Sequence, residues 1–160
     1  MLPAPVPRSA RPTSARVREA LFSIVGHDLA GVAVLDAFGG TGLLGLEAWS
    51  RGAVVTIVER DRKAYRRILE NAEALRADVQ ILQGDIRELA NTFSTFELVL
   101  ADPPYALEPT PILVALAPLV ADRLILETDS RTSMPSTAGD LTLAKTRSYG
   151  GTSLSVFSRG

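Results

Sequence analysis

The chain contains no cysteine, one histidine and one tryptophan in 160 residues. Without cysteine there is no disulfide, no thiolate metal site and no thiol nucleophile, a composition that suits a reducing compartment. The single histidine, His27, falls at the exit of an expected helix and reads as structural. No apolar run approaches the length of a membrane span, and the N-terminus has no apolar signal core. A cytoplasmic protein without a membrane segment or a metal is therefore expected. Net charge is nearly absent too, at −1, so the total says little about partners.

The layout of charge says more. Arg8, Arg11, Arg16 and Arg18 precede any acid, and after Asp140 the chain carries Lys145, Arg147 and Arg159, again with no acid. Two acid-free basic ends on a balanced chain suit one patch for phosphate backbones. With 46% hydrophobic and 22% charged residues the composition is that of a globular protein, and the length fits one domain with a substantial core.

Pro3, Pro5, Pro7 and Pro12 forbid regular helix, so residues 1–12 read as an extended arm ahead of a single domain over 13–160. Thr13 or Ser14 caps a helix with Val17, Leu21, Ile24 and Val25 on one face. Val32–Leu35, Val54–Val58, Val79–Leu82, Phe96–Leu100 and Arg123–Glu127 read as strands. The first four are followed by helices near Leu43–Ser50, Asp61–Arg76, Ile86–Ala90 and Leu113–Val120. Ser130–Gly139 reads as a polar loop, and Leu141–Thr146 and Leu154–Ser158 as a closing antiparallel pair with Tyr149-Gly150-Gly151 in the connection. The alternation predicts an α/β fold, a mostly parallel sheet with helices on both faces.

The chemistry centres on Asp102-Pro103-Pro104-Tyr105 at the end of the fourth strand. An amino group conjugated to an aromatic ring is a poor nucleophile, because its lone pair is delocalised. A carboxylate (Asp102) and a backbone carbonyl, most simply that of Pro103, can accept its two N–H bonds and turn the lone pair toward an electrophile. Two prolines hold those acceptors rigidly, and Tyr105 offers a flat face for an extruded base.

Upstream, Gly40-x-Gly42-x-x-Gly45 follows a strand and opens a helix, with Glu59 about 20 residues on, which matches a dinucleotide-binding fingerprint. Asp36 separates the readings. A carboxylate beside the phosphate position repels pyrophosphate and suits a ligand whose amino-acid end is cationic, such as S-adenosylmethionine. Glu59 would take ribose hydroxyls and Asp85 the adenine amino group, with Ile86 lining the ring. Acids thus end four strands in register, more than capping alone would explain.

Asp36–Gly42, Glu59, Asp85 and Asp102–Tyr105 together resemble the class I methyltransferases that act on exocyclic amino groups of nucleobases. Residues 11–22 (RPTSARVREALF) and 42–53 (GLLGLEAWSRGA) are similar to the signatures of the RsmD-like family, the bacterial 16S ribosomal RNA guanine-N2 methyltransferases. The likeness covers nearly the whole chain. It implies a Rossmann-like methyltransferase fold and methyl transfer from S-adenosylmethionine to a guanine of the small ribosomal subunit or its RNA. A monomer is expected. Carried over by position, the catalytic group is Asp102, Pro103, Pro104 and Tyr105. The cofactor would be held by Asp36, Phe38, Gly39, Gly40, Thr41, Gly42, Glu59, Arg60, Asp85, Ile86 and Asp102. Substrate contacts would come from Arg8, Arg11, Thr13, Arg16, Tyr105, Arg147 and Tyr149.

The family usually opens on a basic, glycine-containing hairpin, whereas this chain begins Met1-Leu2-Pro3; weaker independent RNA binding is the expectation. The alternatives are an adenine-N6 or other amino-group methyltransferase, a non-catalytic ribosome-binding relative, and a nicotinamide dehydrogenase resting on the glycine spacing alone.

Overall fold

The computed structural model describes residues 14–160. The expected arm over 1–12, and with it Arg8, Arg11 and Thr13, lies outside the described residues.

One sheet of eight strands runs through the described residues in the order β3-β2-β1-β4-β5-β8-β7-β6. Strands β1 (Ala33–Asp36), β2 (Val54–Glu59), β3 (Gln80–Gln83), β4 (Phe96–Ala101) and β5 (Val120–Asp129) are parallel, as the alternation predicts. Strand β8 (Thr152–Arg159) pairs antiparallel with β5 and with β7 (Leu141–Tyr149). The two-residue β6 (Thr137–Ala138) closes the edge inside the segment expected as loop.

Helices cover both faces. Against one lie α1 (Ala15–Val25), α2 (Leu43–Ser50) and α3 (Arg62–Leu75), packed on Val34, Ile57, Leu98, Leu100, Ile125 and Leu154. Against the other lie α4 (Ile86–Leu89) and α5 (Pro109–Leu116), packed on Leu35, Val99, Leu124, Leu126 and Phe157. The central strands are apolar on both faces because both faces are covered.

The sequence places α5 too late. Pro109 opens it at the first turn, where a missing N–H costs nothing. Pro118 then stands in a short 3-10 turn, Ala117–Leu119, and β5 begins at Val120. Tyr149 also moves: it ends β7, and Gly150 (φ 64°) with Gly151 makes the two-residue turn.

The orientation of α1 follows from two contacts. Ser14 caps its start, its Oγ accepting from the Val17 N–H at 3.2 Å. The guanidinium of Arg123, near the start of β5, donates to the carbonyls of Ile24 and Val25 at the helix C-terminus. Thus α1 runs against β5, and its N-terminus lies at the carboxyl edge of the parallel strands.

Candidate active site at the carboxyl edge

In a parallel sheet of this kind ligands bind beyond the carboxyl ends, where the order reverses between β1 and β4. Asp36 is the last residue of β1, Glu59 the last of β2, and Asp102 follows the last residue of β4. Asp85 lies two residues beyond β3 and caps α4. All four acids stand at this edge.

Asp36 is fully buried beneath the glycine loop, so it offers no exposed oxygen to a ligand. Its Oδ2 accepts from the Gly45 N–H at 3.1 Å, in the first turn of α2. Its Oδ1 has no hydrogen-bond partner among the described residues. Burial pushes its carboxyl up to about 7, opposed by the Gly45 bond, with the nearby charges of Asp102 and Glu59 adding to the rise. The Phe38 backbone N–H lowers it a little as well, but an ionised carboxylate remains costly in such a place. A cation bound above the loop would offset that cost through its field, which is how Asp36 can serve a sulfonium ligand without touching it.

The loop itself is built on glycine for two reasons. Gly42, at φ 83°, leads into α2, and Gly40 has φ 58°. Gly45 packs against the sheet: a Cβ there would lie 2.7 Å from Ile57 Cγ1 and Cδ1. Gly39 is similarly close to Ile57 and Ile68. Close approach therefore serves loop-on-sheet packing at Gly39 and Gly45. Phe38 is half-buried against the opposite core, and Thr41 is buried.

Glu59 holds the loop from the side. Its Oε1 accepts from the Gly40 N–H at 2.7 Å and its Oε2 from the Asp61 N–H at 2.6 Å. Each oxygen keeps a second lone pair, so ribose hydroxyls remain compatible with this position. Asp85 is more committed. Arg87 grips both of its oxygens at 3.0 and 2.7 Å, and the Arg87 N–H adds a third bond at 2.9 Å. The hydrogen-bonded Arg87 guanidinium holds the Asp85 carboxyl below the usual carboxylate range. Ile86 is buried, and Arg60 is exposed with its carbonyl held by Gln83. Helix and loop amides thus occupy three of the four acids, more than the sequence pattern suggests.

At Asp102-Pro103-Pro104-Tyr105 the structure puts the pieces in usable positions. Asp102 is half-buried, Pro103 buried and Pro104 exposed. The Pro104 carbonyl accepts from the Leu107 N–H at 3.0 Å, closing a turn, which leaves the Pro103 carbonyl as the simpler acceptor. Tyr105 is 55% exposed, and its hydroxyl lies 3.1 Å from Thr152 Oγ1 on β8. The ring is anchored at one end and open on a face, as a stacking platform requires. Partial burial raises the phenol's pKa, and Glu127, Asp102 and Asp129 add to the rise.

Of the basic groups expected to share one patch, Arg16 and Arg147 come together near this edge and Lys145 lies farther along β7, whereas Arg159 stands at the opposite edge, donating to the Val120 and Ala117 carbonyls. Arg16 of α1 lies over the Tyr149 ring at 5.9 Å, within cation–π range. Tyr149 pairs with Thr152, the partner of Tyr105. A groove lined by Ala20, Ser23 and Ile24 of α1 and by Lys145, Arg147 and Tyr149 of β7 runs from there along the sheet. A register shift between Leu143 and Lys145 puts Lys145, Arg147 and Tyr149 on the α1 side, away from the face of Leu143. The sequence shows neither this bulge nor Lys145 as a site residue.

The whole chain compares closely with known proteins. Residues 1–158 match the family model described as "Conserved hypothetical protein 95". The ribosomal RNA small subunit methyltransferase D of Escherichia coli K12 is 30% identical over 99% of this chain and 84% of its own length. The chain belongs to the RsmD-like methyltransferases. A solved Streptococcus pyogenes chain, described as a conserved hypothetical protein, is 30% identical with a TM-score of 0.81, covering 89% of this chain and 95% of that one. At 20% identity, magnesium protoporphyrin IX methyltransferase from Synechocystis, solved with bound S-adenosylmethionine, has a TM-score of 0.72 over 91% of this chain and 79% of its own. That likeness concerns the fold, which is the class I methyltransferase fold. The RsmD-like family is S-adenosylmethionine-dependent, and the Glu59-braced loop above the buried Asp36 is where this chain could hold that cofactor.

Proposed function

We propose that this protein methylates the exocyclic N2 amino group of a guanine in small-subunit ribosomal RNA. The broader activity, S-adenosylmethionine-dependent methylation of ribosomal RNA, comes with the family; the guanine, its N2 atom and the roles of individual residues are the proposal. The observation that carries it is the Asp102–Tyr105 segment at the end of β4, with an open tyrosine face beside a half-buried carboxylate.

S-adenosylmethionine supplies a methyl group on a positively charged sulfur. The rest falls to the chain. Asp102 and the Pro103 carbonyl accept the two N–H bonds of the amino group, fixing it and directing its lone pair along the line of transfer. Tyr105 stacks on the base. As the N–C bond forms and the S–C bond breaks, the nitrogen gains positive charge, and the Asp102 carboxylate stabilises it and receives the proton, or passes it to water. Positioning and prearranged charge supply the acceleration. Glu59 and the glycine loop hold the cofactor, with Asp36 below. We place the reaction in the cytoplasm, with the ribosomal RNA it acts on, and the active species as a monomer. Among the described residues no helix is long and apolar enough to cross a membrane.

Labelled S-adenosylmethionine offered with small subunits, free small-subunit RNA or DNA tests the reading. After digestion to nucleosides, label is expected in N2-methylguanosine from subunits or their RNA. Label in N6-methyladenosine, or in DNA alone, would overturn it.

The groove between α1 and β7 fits a phosphate backbone leading to Tyr105. Replacing both Lys145→Ala and Arg147→Ala is expected to weaken RNA binding about tenfold near 0.1 M salt and to lower the salt slope by about one to two. Cofactor affinity should not change. An unaltered salt slope would remove the groove from the RNA path.

A further inference from the structure

Acids end more strands here than the four that the sequence pattern picks out. Glu127 stands near the end of β5, 6% exposed, after the buried run Leu124-Ile125-Leu126. The β4–β5 register pairs Leu100 with Ile125 and Ala101 with Leu126. One further step sets Glu127 beside Asp102. Ile125 packs with the core under α1 and Leu126 with the opposite one, so alternation returns Glu127 to the α1 face, the face of Leu100 and hence of Asp102.

Beyond the ends of β4 and β5 a small depression is lined by Pro103, Pro104, Tyr105, Leu107 and Pro109 together with Glu127 and Thr128. The Thr128 hydroxyl is buried there without a hydrogen-bond partner among the described residues. Asp129 also borders the depression but is the less buried of the two acids. Glu127 is the buried carboxylate that the β4–β5 register sets next to Asp102.

We infer that Glu127 reads the base, its carboxylate accepting the N1–H of the guanine whose N2 amino group is held at Asp102. This rests on the guanine-N2 reading above. Guanine presents N1–H and N2–H2 side by side, two adjacent donors that two neighbouring carboxylates can accept. Adenine presents a bare N1 lone pair beside its amino group, which a carboxylate repels. Asp102-Pro103-Pro104-Tyr105 grips an aromatic amine without naming the ring; a carboxylate one position along the base edge supplies the name. A base that turns a lone pair rather than an N–H toward that carboxylate meets repulsion in place of a hydrogen bond, which gives strong discrimination.

The test uses small subunits reconstituted with guanine or with 2-aminopurine at the nucleotide that the wild-type enzyme labels. 2-Aminopurine keeps the amino group but has no N1–H. The wild type should favour guanine by about a hundredfold in kcat/KM. Glu127→Gln, whose amide can donate to N1, should lose about thirtyfold or more on guanine and nothing on 2-aminopurine. Glu127→Asp, which keeps the charge, should lose about three- to tenfold and retain the preference for guanine; it decides the matter where Glu127→Gln does not fold. Calorimetry with S-adenosylmethionine should give unchanged affinity for each folded variant. Equal losses on both bases, or no loss on guanine, would overturn the role of Glu127. Absence of label in guanosine N2 with the wild type would instead overturn the reading on which it rests.

Discussion

Asp102→Ala is expected to lower methyl transfer by about a thousandfold while leaving cofactor affinity within a fewfold. The loss has two parts. The amino group would no longer be fixed with its lone pair in line, and the positive charge forming on nitrogen would have no carboxylate to balance it. Asp102→Asn separates them: its carbonyl oxygen can still accept one N–H bond, but it carries no charge, and its own NH2 competes for space with the substrate's donors. It should retain more activity than Ala at the same cofactor affinity. Single-turnover rates with saturating acceptor read this directly. Near-wild-type turnover in Asp102→Ala would show that the segment positions the chain and not the base.

The parallel sheet and its open edge were legible because buried strands carry continuous apolar runs and each run stops at an acid. Asp36, Glu59 and Asp102 mark strand ends for that reason. The same rule, carried one strand further, reaches Glu127 after Leu124-Ile125-Leu126. What periodicity cannot show is what each acid touches. Asp85 is taken up by Arg87, two residues on, and Asp36 is sealed under Gly45, whose closeness to Ile57 is a tertiary fact. The basic groove is hidden for a different reason. Strict alternation from Leu143 would put Lys145 and Arg147 on the α5 face; one residue of slip in β7 turns them toward α1.

The second large effect concerns pH. Asp36, pushed up to about 7 by burial, is mostly protonated at pH 6 and mostly ionised at pH 8, while a cation above the loop is served only by the ionised form. Affinity for S-adenosylmethionine is therefore expected to rise about tenfold from pH 6 to pH 8 and to level off beyond. Calorimetry in buffers of different ionisation enthalpy should show a proton released on binding near pH 6. Stability of the free protein must move the other way. The native carboxyl titrates near 7 against an ordinary value of 3.8, so between about pH 4 and 7 the native state binds the extra proton. The stability this confers is whole below pH 4 and is lost as pH rises through 7, on the order of 4 kcal/mol as an upper bound. Asp36→Asn removes the titration. Its carbonyl can still accept from Gly45, so above pH 7 the variant should be more stable than the wild type. It should also bind the cofactor at least tenfold more weakly and without dependence on pH. A buried charge that burdens the empty fold would then be retained for its ligand. A variant with wild-type affinity and an unchanged pH profile would assign Asp36 to the support of α2 alone.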